Sequence, residues 1–254
     1  MHEGKNSQRN RRFLLCADRQ QDYECKAKGI FRKDKKKPLP GDYVEIDILD
    51  EVSLTANISA ILPRTNELIR PAVANVDLAL VIMAAASPAP NLNLLDRFLV
   101  TMEQQRVNCC VCFNKQDLVD EQTKDRLRES YRNTGYPVLF TSARQEEGLL
   151  ELRKVLSGRT TTVAGPSGVG KSSLINCLQS HTSMETGEIS SKIERGKHTT
   201  RHSELICVSE GTYIVDTPGF SSIELYGMEK EELQDYFPDF APGSRNAALQ
   251  AAPT

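Results

Sequence analysis

The sequence of 254 residues predicts an α/β protein, in which a small N-terminal β-barrel precedes a parallel sheet covered by helices. Two observations lead to this fold class. In residues 13–62, short stretches alternate apolar and polar side chains, which is the period of half-buried strands. From Leu78 onward, short apolar strands alternate with amphipathic helices, which is typical of a parallel sheet with helices on both faces.

The first segment is predicted to form a barrel of the OB type. Apolar residues alternate with polar ones at Tyr23, Cys25 and Ala27 and again at Val44, Ile46 and Ile48. The turn sequence KKKPLPGD separates these two stretches. Several short strands with one basic surface suit an OB-fold, a common platform for nucleic acids. Because few residues precede Phe13, we expect the first strand of this barrel to be incomplete.

The second segment is predicted to alternate strands and helices. The strands are LALVIMAA, VNCCVCF, PVLF, TTVAG, ELICV and TYIVD, and the helices span 94–105, 121–133, 146–156 and 171–178. In the first helix Leu95, Phe98, Leu99 and Met102 form one apolar stripe. The stretch LPRTNELIRPAVANVD before the first of these strands is expected to be a linker, because two prolines punctuate it.

The sequence GPSGVGKSS follows a predicted strand and opens a predicted helix, as a phosphate-binding loop does. Its glycines let backbone N–H groups turn towards phosphates, and the N-terminus of the helix adds a positive partial charge. We expect Lys171 to reach the outer phosphates and the Ser172 hydroxyl to bind Mg²⁺. The predicted nucleotide contacts are Gly165, Pro166, Ser167, Gly168, Val169, Gly170, Lys171, Ser172 and Ser173.

The sequence NKQD, at the carboxyl end of a predicted strand, predicts recognition of guanine. The Asp117 carboxylate would accept from the two N–H groups on the guanine edge, an arrangement that adenine cannot match. Asn114 is expected to reach the other edge of the base, and Lys115 to lie along the ring. The predicted base contacts are Asn114, Lys115, Gln116, Asp117, Ser142 and Ala143, the last through its backbone N–H. The alternative for Asp117 is a helix N-cap.

A third motif, DTPG, follows the last predicted strand. Asp216 would hold the magnesium ion through a water, and the Gly219 N–H would meet the γ-phosphate. In the usual order of a GTPase the phosphate loop precedes the base-reading motif, whereas here NKQD comes first. Cutting a GTPase fold after DTPG and joining its old ends gives this order and keeps the site intact. The sequence therefore predicts a circularly permuted P-loop GTPase domain.

The stretch GKHTTR, between the phosphate loop and DTPG, is predicted to be a switch. Thr199 or Thr200 is expected to bind magnesium, and the sequence does not distinguish them. Phe220 stands where Ras-like GTPases use a glutamine to position the attacking water, so basal hydrolysis should be slow. His198 is the candidate that orients this water once a partner orders the loop; the alternative is a plain polar surface residue.

Charge is unevenly distributed along the chain. Residues 1–40 hold twelve Lys and Arg against five acidic residues, although the net charge of the whole chain is −2. A basic head on an acidic body predicts a module that binds a polyanion such as RNA, and the alternative is a merely solvated basic surface. The candidate RNA contacts are Lys33, Lys35, Lys36 and Lys37.

The seven cysteines form no paired framework, which predicts reduced thiols. Cys109, Cys110 and Cys112 lie in an apolar strand and are interpreted as small buried hydrophobes rather than metal ligands. The longest apolar run, Leu78–Ala86, is too short to span a bilayer, and the charged N-terminus lacks a signal core. We therefore expect a cytoplasmic monomer without membrane contact.

From about Tyr23 to Phe240 the chain resembles the circularly permuted GTPases of the small ribosomal subunit, the RsgA family, also called YjeQ or YloQ. Its most specific pieces are RPAVANVDLAL, NLNLLDRFLV, NKQDLV, GPSGVGKSSLIN, GKHTTR and DTPGF. The resemblance implies an N-terminal OB-fold and a permuted GTPase domain. It further implies GTP hydrolysis with Mg²⁺, stimulated by the small ribosomal subunit and its rRNA, and a role in late maturation of that subunit.

The family also has a C-terminal zinc-binding domain built from Cys and His. Because no Cys or His follows Cys207, no zinc site is predicted here, and the Ala/Pro/Gly-rich tail is expected to be disordered. The expected boundaries are 1–64 for an RNA-binding OB-fold, 72–226 for the permuted GTPase domain and 227–254 for a truncated C-terminal segment.

Three functions remain open at this point. The first is a GTPase that acts on the small ribosomal subunit. The second is a truncated or degenerate module that binds nucleotide or RNA with little turnover, and the third is a permuted GTPase that serves another RNA or complex. The intact Lys171, Ser172 and Asp216 favour the first over the second.

Overall fold

The chain folds into two compact units that interleave along the sequence. A computed structural model describes residues 2–9, 12–17, 21–27, 37–69, 72–186, 204–216 and 236. The first unit comprises residues 1–77, 156–163 and 178–218, and the second comprises residues 78–155, 164–177 and 219–254.

Five strands of the first unit form a closed barrel. They are β1 (His2–Arg9), β2 (Arg12–Ala17), β3 (Gln21–Ala27), β4 (Tyr43–Asp50) and β5 (Thr55–Ile61). The strands are hydrogen-bonded in the order β1-β2-β3-β5-β4, and β4 pairs with β1 to close the ring. β3 and β5 run parallel, whereas the other neighbours are antiparallel. This confirms the predicted N-terminal barrel.

The first strand is present, so the prediction of an incomplete β1 is wrong. β1 pairs with β2 along one edge and with β4 along the other. The buried Asn6 also binds the turn before β4, because its Nδ2 donates to the Leu39 carbonyl (2.8 Å) and its backbone N–H to the Asp42 carbonyl (2.8 Å). The sequence HEGKNSQR lacks apolar alternation, but its two neighbours and this turn satisfy the backbone of the strand.

Among the side chains that the structure describes, the barrel core includes alternate residues of three strands: Tyr23, Cys25, Val44, Ile46, Ala56 and Ile58. Ile48 is half-buried and packs against this cluster. The alternation therefore predicts the core correctly, with one exception. Ala27, the last residue of β3, is exposed, because the strand ends there.

The predicted linker between the two domains contains an ordered hairpin. β6 (Glu67–Leu68) pairs antiparallel with β7 (Val73–Ala74), and Leu68 and Val73 are buried. Gly41 lies directly against this hairpin with φ +88°, and a Cβ at this position would overlap the Ala74 carbonyl oxygen. Proline punctuation suggested a linker, but burial of Leu68 and Val73 gives the described part of this segment a defined structure.

Arg64 attaches the segment to the turn before β4. Its Nε and Nη2 donate to the two carboxylate oxygens of Asp42, at 2.7 and 2.8 Å, and Asp42 is 0% exposed. Nη2 also donates to the Lys37 carbonyl at 2.9 Å, and Nη1 pairs with Glu67. The hydrogen bonds with Asp42 are the largest cause that raises the pKa of Arg64 above its ordinary value.

The second unit contains three parallel strands in the order β10-β9-β8. Their bounds are β8 (Leu78–Ala84), β9 (Asn108–Asn114) and β10 (Val138–Thr141). All of β8 is buried, and so is β9 after its first residue. Cys109, Cys110 and Cys112 are free thiols in this core, as predicted, and burial raises the pKa of Cys112 to about 12.

The starts of two helices in the second unit follow from a capping hydrogen bond and from the local backbone conformation. Their bounds are α1 (Leu92–Gln104), α2 (Glu121–Glu129) and α3 (Leu149–Leu156). α1 begins two residues before the predicted start, because the Asn91 side chain accepts from the Leu94 N–H at 3.1 Å and caps the helix. α3 begins three residues late, because Glu146 and Gly148 adopt positive φ.

The last described elements are β11 (Thr160–Ala164), α4 (Lys171–Thr186), β12 (Glu204–Ser209) and β13 (Thr212–Asp216). β11 pairs parallel with β13, and β12 pairs antiparallel with β13. α4 extends eight residues beyond the predicted end. Across the described parts of the chain, every helix is too short or too polar to cross a membrane.

Removal of the Arg64 charge is expected to destabilise the first unit. Arg64→Met should lower the free energy of unfolding by about 3 kcal/mol, because it leaves the Asp42 carboxylate buried without its cationic partner. The measurement is urea unfolding followed by circular dichroism. Arg132→Met, which removes an exposed partner of Glu129, is the matched control and should change stability by less than about 0.5 kcal/mol. Equal losses in both variants would contradict the prediction.

Candidate nucleotide-binding site

The loop of residues 165–170 connects β11 to α4 and depends on three glycines. Gly165, Gly168 and Gly170 have φ of +148°, +80° and +94°, a region that L side chains rarely adopt. A Cβ at Gly165 would overlap the carbonyl oxygen of Ile82, and one at Gly170 would overlap the Asn114 side-chain nitrogen. The loop therefore lies directly against β8 and against the end of β9.

Lys171 opens α4 and turns back into this loop. Its Nζ donates to the carbonyl oxygens of Gly165 and Pro166, both at 2.7 Å. The ammonium group is thus held inside the curve of the loop, beside the N-terminus of a sixteen-residue helix. Ser172 and Ser173 follow in the first helical turn, and both are exposed.

Asn114 connects three segments of the second unit. Its side chain is 2% exposed, and its Nδ2 donates to the Val169 carbonyl of the loop at 2.8 Å. Its Oδ1 accepts from the Thr141 hydroxyl and from the Ala143 N–H, both at 3.2 Å. The nitrogen and the oxygen of the amide therefore both have partners within the protein. This geometry favours a role of Asn114 in joining the loops over the direct contact with the edge of a base that the sequence predicts.

Lys115 lies across the same loop from the other side. Its backbone is left-handed, with φ +63°, and directs the side chain back over the end of β9. Nζ donates to the Gly168 carbonyl at 2.7 Å and to the Ser87 carbonyl, which follows β8. Residues Gln116–Leu118 then form one 3-10 turn.

Asp117 lies in this turn, and its Oδ1 accepts from the Ser142 hydroxyl at 2.6 Å. The alternative that Asp117 caps a helix is wrong, because Asp120 caps α2 by accepting from the Thr123 N–H at 2.8 Å. Ser142 is itself held by two backbone hydrogen bonds with Glu147, at 3.0 and 3.1 Å. The Asp117 carboxylate therefore has one fixed oxygen.

A cleft of about 340 Å³ opens beside the glycine-rich loop within the second unit. Pro166, Ser167 and Val169 line one side of it. Pro88 and Pro90, from the segment that connects β8 to α1, and Leu94, in the first turn of α1, line another side. The phosphate loop is thus accessible from this face.

Several predicted site residues lie outside the described parts of the chain: Lys33, Lys35, Lys36, His198, Thr199, Thr200, Gly219 and Phe220. Lys37 is described and exposed. The backbone of Asp216 ends β13, but its side chain belongs to the undescribed part. Among the described side chains, no group of three His, Cys, Asp or Glu residues could hold a metal ion.

Sequence reasoning missed two contributors to the site. Thr141 is fully buried and donates to Asn114, and the Ser87 carbonyl accepts from Lys115. A polar residue at the end of an apolar strand was an available signal for Thr141. No sequence signal identifies Ser87, because it acts through its backbone oxygen.

Comparisons with known families match two segments of the chain. Residues 61–226 match the RsgA GTPase family, and residues 13–53 match the RsgA N-terminal domain. Curated proteins similar to this chain are named small ribosomal subunit biogenesis GTPase RsgA. The one from Agathobacter rectalis is 62% identical over 218 residues, which cover 86% of this chain and 72% of the relative. That from Alkaliphilus metalliredigens is 51% identical over 224 residues, with coverages of 88% and 77%.

Two crystal structures have a similar fold. YjeQ from Thermotoga maritima is 32% identical, with a TM-score of 0.77 over 94% of this chain and 82% of that protein. YloQ, described as a circularly permuted GTPase, is 36% identical, with a TM-score of 0.73 over 94% and 78% of the two chains. Together with the family match over most of its length, these similarities show that the chain belongs to the circularly permuted RsgA GTPases.

Proposed function

We propose that this protein binds the small ribosomal subunit and hydrolyses GTP during the late maturation of that subunit. The observation that carries the proposal is the amide of Asn114, which joins the phosphate loop at Val169 to the base-reading segment at Ala143. A phosphate site and a guanine site held at a fixed separation suit one bound nucleotide. The relatives named for small ribosomal subunit biogenesis supply the partner.

The phosphate groups of GTP would lie in the loop of residues 165–172. The positive φ of its glycines points backbone N–H groups inward, and the space that a Cβ would fill at Gly165 and Gly170 is already taken by neighbouring atoms. Lys171 would exchange its carbonyl acceptors for the outer phosphate oxygens. The exposed Ser173 N–H, in the first turn of α4, would add a further donor.

Magnesium fits the oxygen donors that the motifs offer. The exposed Ser172 hydroxyl opens α4, and Asp216 and one of Thr199 or Thr200 complete the proposed ligand set. The ion would neutralise charge on the phosphates. Zinc, which the family uses in a C-terminal domain, has no proposed site in this chain.

Guanine recognition would rest on Asp117. Its fixed orientation by Ser142 leaves the second carboxylate oxygen and the remaining lone pairs to accept from the base. The half-buried side chain of Lys115 would cover the ring, while Asn114 and Ala143 hold the two loops in place. Gln116, which contacts Glu147 at 3.3 Å, would close the outer edge of the site.

Hydrolysis would depend on a group that orients water. Phe220 can neither donate to nor accept from a water, so His198 is the proposed orienting residue once a partner orders its loop. The barrel, with its basic residues Lys33, Lys35, Lys36 and Lys37, is the proposed contact with rRNA. Its domain would span 1–64, the GTPase domain 72–226, and the protein would act as a cytoplasmic monomer.

Turnover of GTP with and without purified small ribosomal subunits separates this function from its alternatives. A GTPase of the small subunit should turn over GTP slowly alone and faster with the subunit. A degenerate binding module would bind nucleotide without stimulated turnover. A permuted GTPase that serves another RNA or complex would hydrolyse GTP, but its rate would not respond to the subunit.

Lys171→Ala is expected to reduce GTP turnover by about 100-fold or more, because it removes the cation from the phosphate loop. Turnover is measured as release of inorganic phosphate under saturating GTP. Lys154→Ala, on the exposed face of α3, is the control that removes a lysine away from the loop and should keep the wild-type rate. Wild-type turnover in the Lys171 variant would refute the site.

Asp117→Asn is expected to weaken GTP binding by about 100-fold and to improve binding of xanthosine triphosphate. Xanthine presents a carbonyl where guanine has its amino group, and the asparagine amide can donate to it. Competition binding with both nucleotides measures the change. Asp120→Asn is the matched control, since asparagine also caps a helix, and it should leave base preference unchanged. An Asp117 variant that still prefers GTP would contradict this role.

His198→Ala is expected to abolish the stimulation of turnover by small subunits while GTP binding persists, because no imidazole remains to orient the water. The assay compares turnover with and without subunits, and a nucleotide-binding titration runs beside it. His202→Ala, four residues along the same segment, is the control. Stimulation of the His198 variant to the wild-type level would exclude this assignment.

A further inference from the structure

Lys5, in the first strand of the barrel, carries a buried ammonium group. Its side chain is 4% exposed, although lysine is almost never fully buried unless its charge is paired. Burial lowers the pKa of Lys5 to about 8, against the opposing effect of Asp77. Burial of a charge carries a desolvation penalty, so the contacts of the ammonium group have to offset this penalty.

Two aromatic rings and two hydroxyls surround the ammonium group. Nζ lies 4.7 Å from the ring centroid of Tyr43 and 4.7 Å from that of Tyr213. It also donates to the Tyr43 hydroxyl at 3.3 Å and to the Thr160 hydroxyl. A cation between two ring faces is stabilised by both quadrupoles, most strongly where water is excluded. The contacts are directional, unlike those of an apolar side chain.

These partners belong to different parts of the first unit. Tyr43 begins β4 of the barrel, whereas Thr160 begins β11 and Tyr213 lies in β13. Thr160 and Tyr213 are register partners in the parallel pair of strands. Asp77 reinforces this pair, because it donates its N–H to the Thr160 carbonyl (2.9 Å) and accepts the Thr160 N–H (2.8 Å).

The two strands that Lys5 contacts lead to the proposed nucleotide site along the chain. β11 ends at Ala164 and continues directly into the glycine-rich loop, and β13 ends at Asp216 of the DTPG motif. Lys5 therefore connects the barrel strand β1 to the beginnings of both strands that carry phosphate and magnesium motifs.

From this placement we infer that Lys5 is a positioning residue that couples occupancy of the barrel by RNA to GTP hydrolysis. Its ammonium group holds β1 in one orientation relative to β11 and β13. Binding of RNA to the barrel therefore acts on these two strands through β1. The inference rests on the proposed function, because it takes RNA at the barrel and GTP at the loop. A coupling of this kind corresponds to a 5- to 150-fold effect on one site by the other, as an order of magnitude.

The test is Lys5→Met, which keeps the length of the side chain and removes its charge. Basal turnover and GTP affinity should stay within about twofold of wild type, whereas the stimulation by small ribosomal subunits should fall by about fivefold or more. Lys154→Met, which removes an exposed lysine on α3, should keep the full stimulation. Circular dichroism before each assay establishes that the barrel is folded.

The pH dependence of the stimulation distinguishes the effect of the Lys5 charge from the effect of its side-chain packing. Asp77, Tyr43 and Tyr213 face Lys5, and the pKa of Tyr43 is raised by burial and by Asp77, so its phenol stays neutral while Lys5 titrates. Because Lys5 loses its proton near pH 8, stimulation of the wild type should decline from pH 7 to pH 9. The ratio of stimulated to basal turnover in Lys5→Met should already be low at pH 7 and should not show this decline.

The outcomes distinguish failure of the inference from failure of the proposed function on which it rests. Wild-type protein that small subunits fail to stimulate overturns the proposed function and the coupling with it. Stimulated wild-type protein with equal stimulation of Lys5→Met overturns the inference alone. If Lys5→Met does not fold, Thr160→Val removes one acceptor of the ammonium group and leaves Lys5 in place. A Thr160 variant with the full wild-type stimulation and pH profile then refutes the coupling.

Discussion

The buried amide of Asn114 is the contact on which the proposed nucleotide site depends. A primary amide can donate and accept at once, and here it donates to the glycine-rich loop at Val169 and accepts from Ala143. An Asp could accept from the Ala143 N–H but could not donate, and it would leave the Val169 carbonyl without this hydrogen bond. The close approach also explains Gly170, where any Cβ would displace the amide nitrogen. The glycine-rich loop, the end of β9 and the proposed base-reading segment are therefore held together by one side chain.

A second buried group, the Asp42 carboxylate, holds together two segments of the first unit. Asp42 accepts from the Leu39 N–H and from two nitrogens of Arg64, so one carboxylate joins the turn before β4 to the stretch that precedes the hairpin β6–β7. Asn75 reinforces the arrangement by donating to the Gly41 carbonyl at 3.0 Å. The barrel is consequently supported by a segment outside its own strands. These hydrogen bonds explain why the described residues 62–69 and 72–77 have a defined structure.

Sequence patterns predicted the parts that depend on apolar periodicity or on glycine-rich turns. The strand β8, the stripe on α1 and the glycine-rich loop all have local signals, and the structure has each of them where expected. What could not be predicted depends on polar partners far apart in the chain. β1 lacks apolar alternation and is ordered by its pairing with β2 and β4 and by the hydrogen bond from Asn6 to the Leu39 carbonyl. The sequence offered Asp117 as a possible helix cap, whereas the backbone geometry places Asp117 in a 3-10 turn and Asp120 at the cap of α2.

The order in which the partners of Lys5 are synthesised has a consequence for folding on the ribosome. Lys5 and Tyr43 leave the ribosome early, whereas Thr160 and Tyr213 follow more than a hundred residues later. A nascent barrel can pair its own strands as soon as Ile61 is free, but its buried ammonium group still faces water on one side. The first unit is therefore completed by the last strand described in the chain, β13. Until that strand emerges, the ammonium group of Lys5 lacks the Tyr213 ring that contacts it in the folded chain.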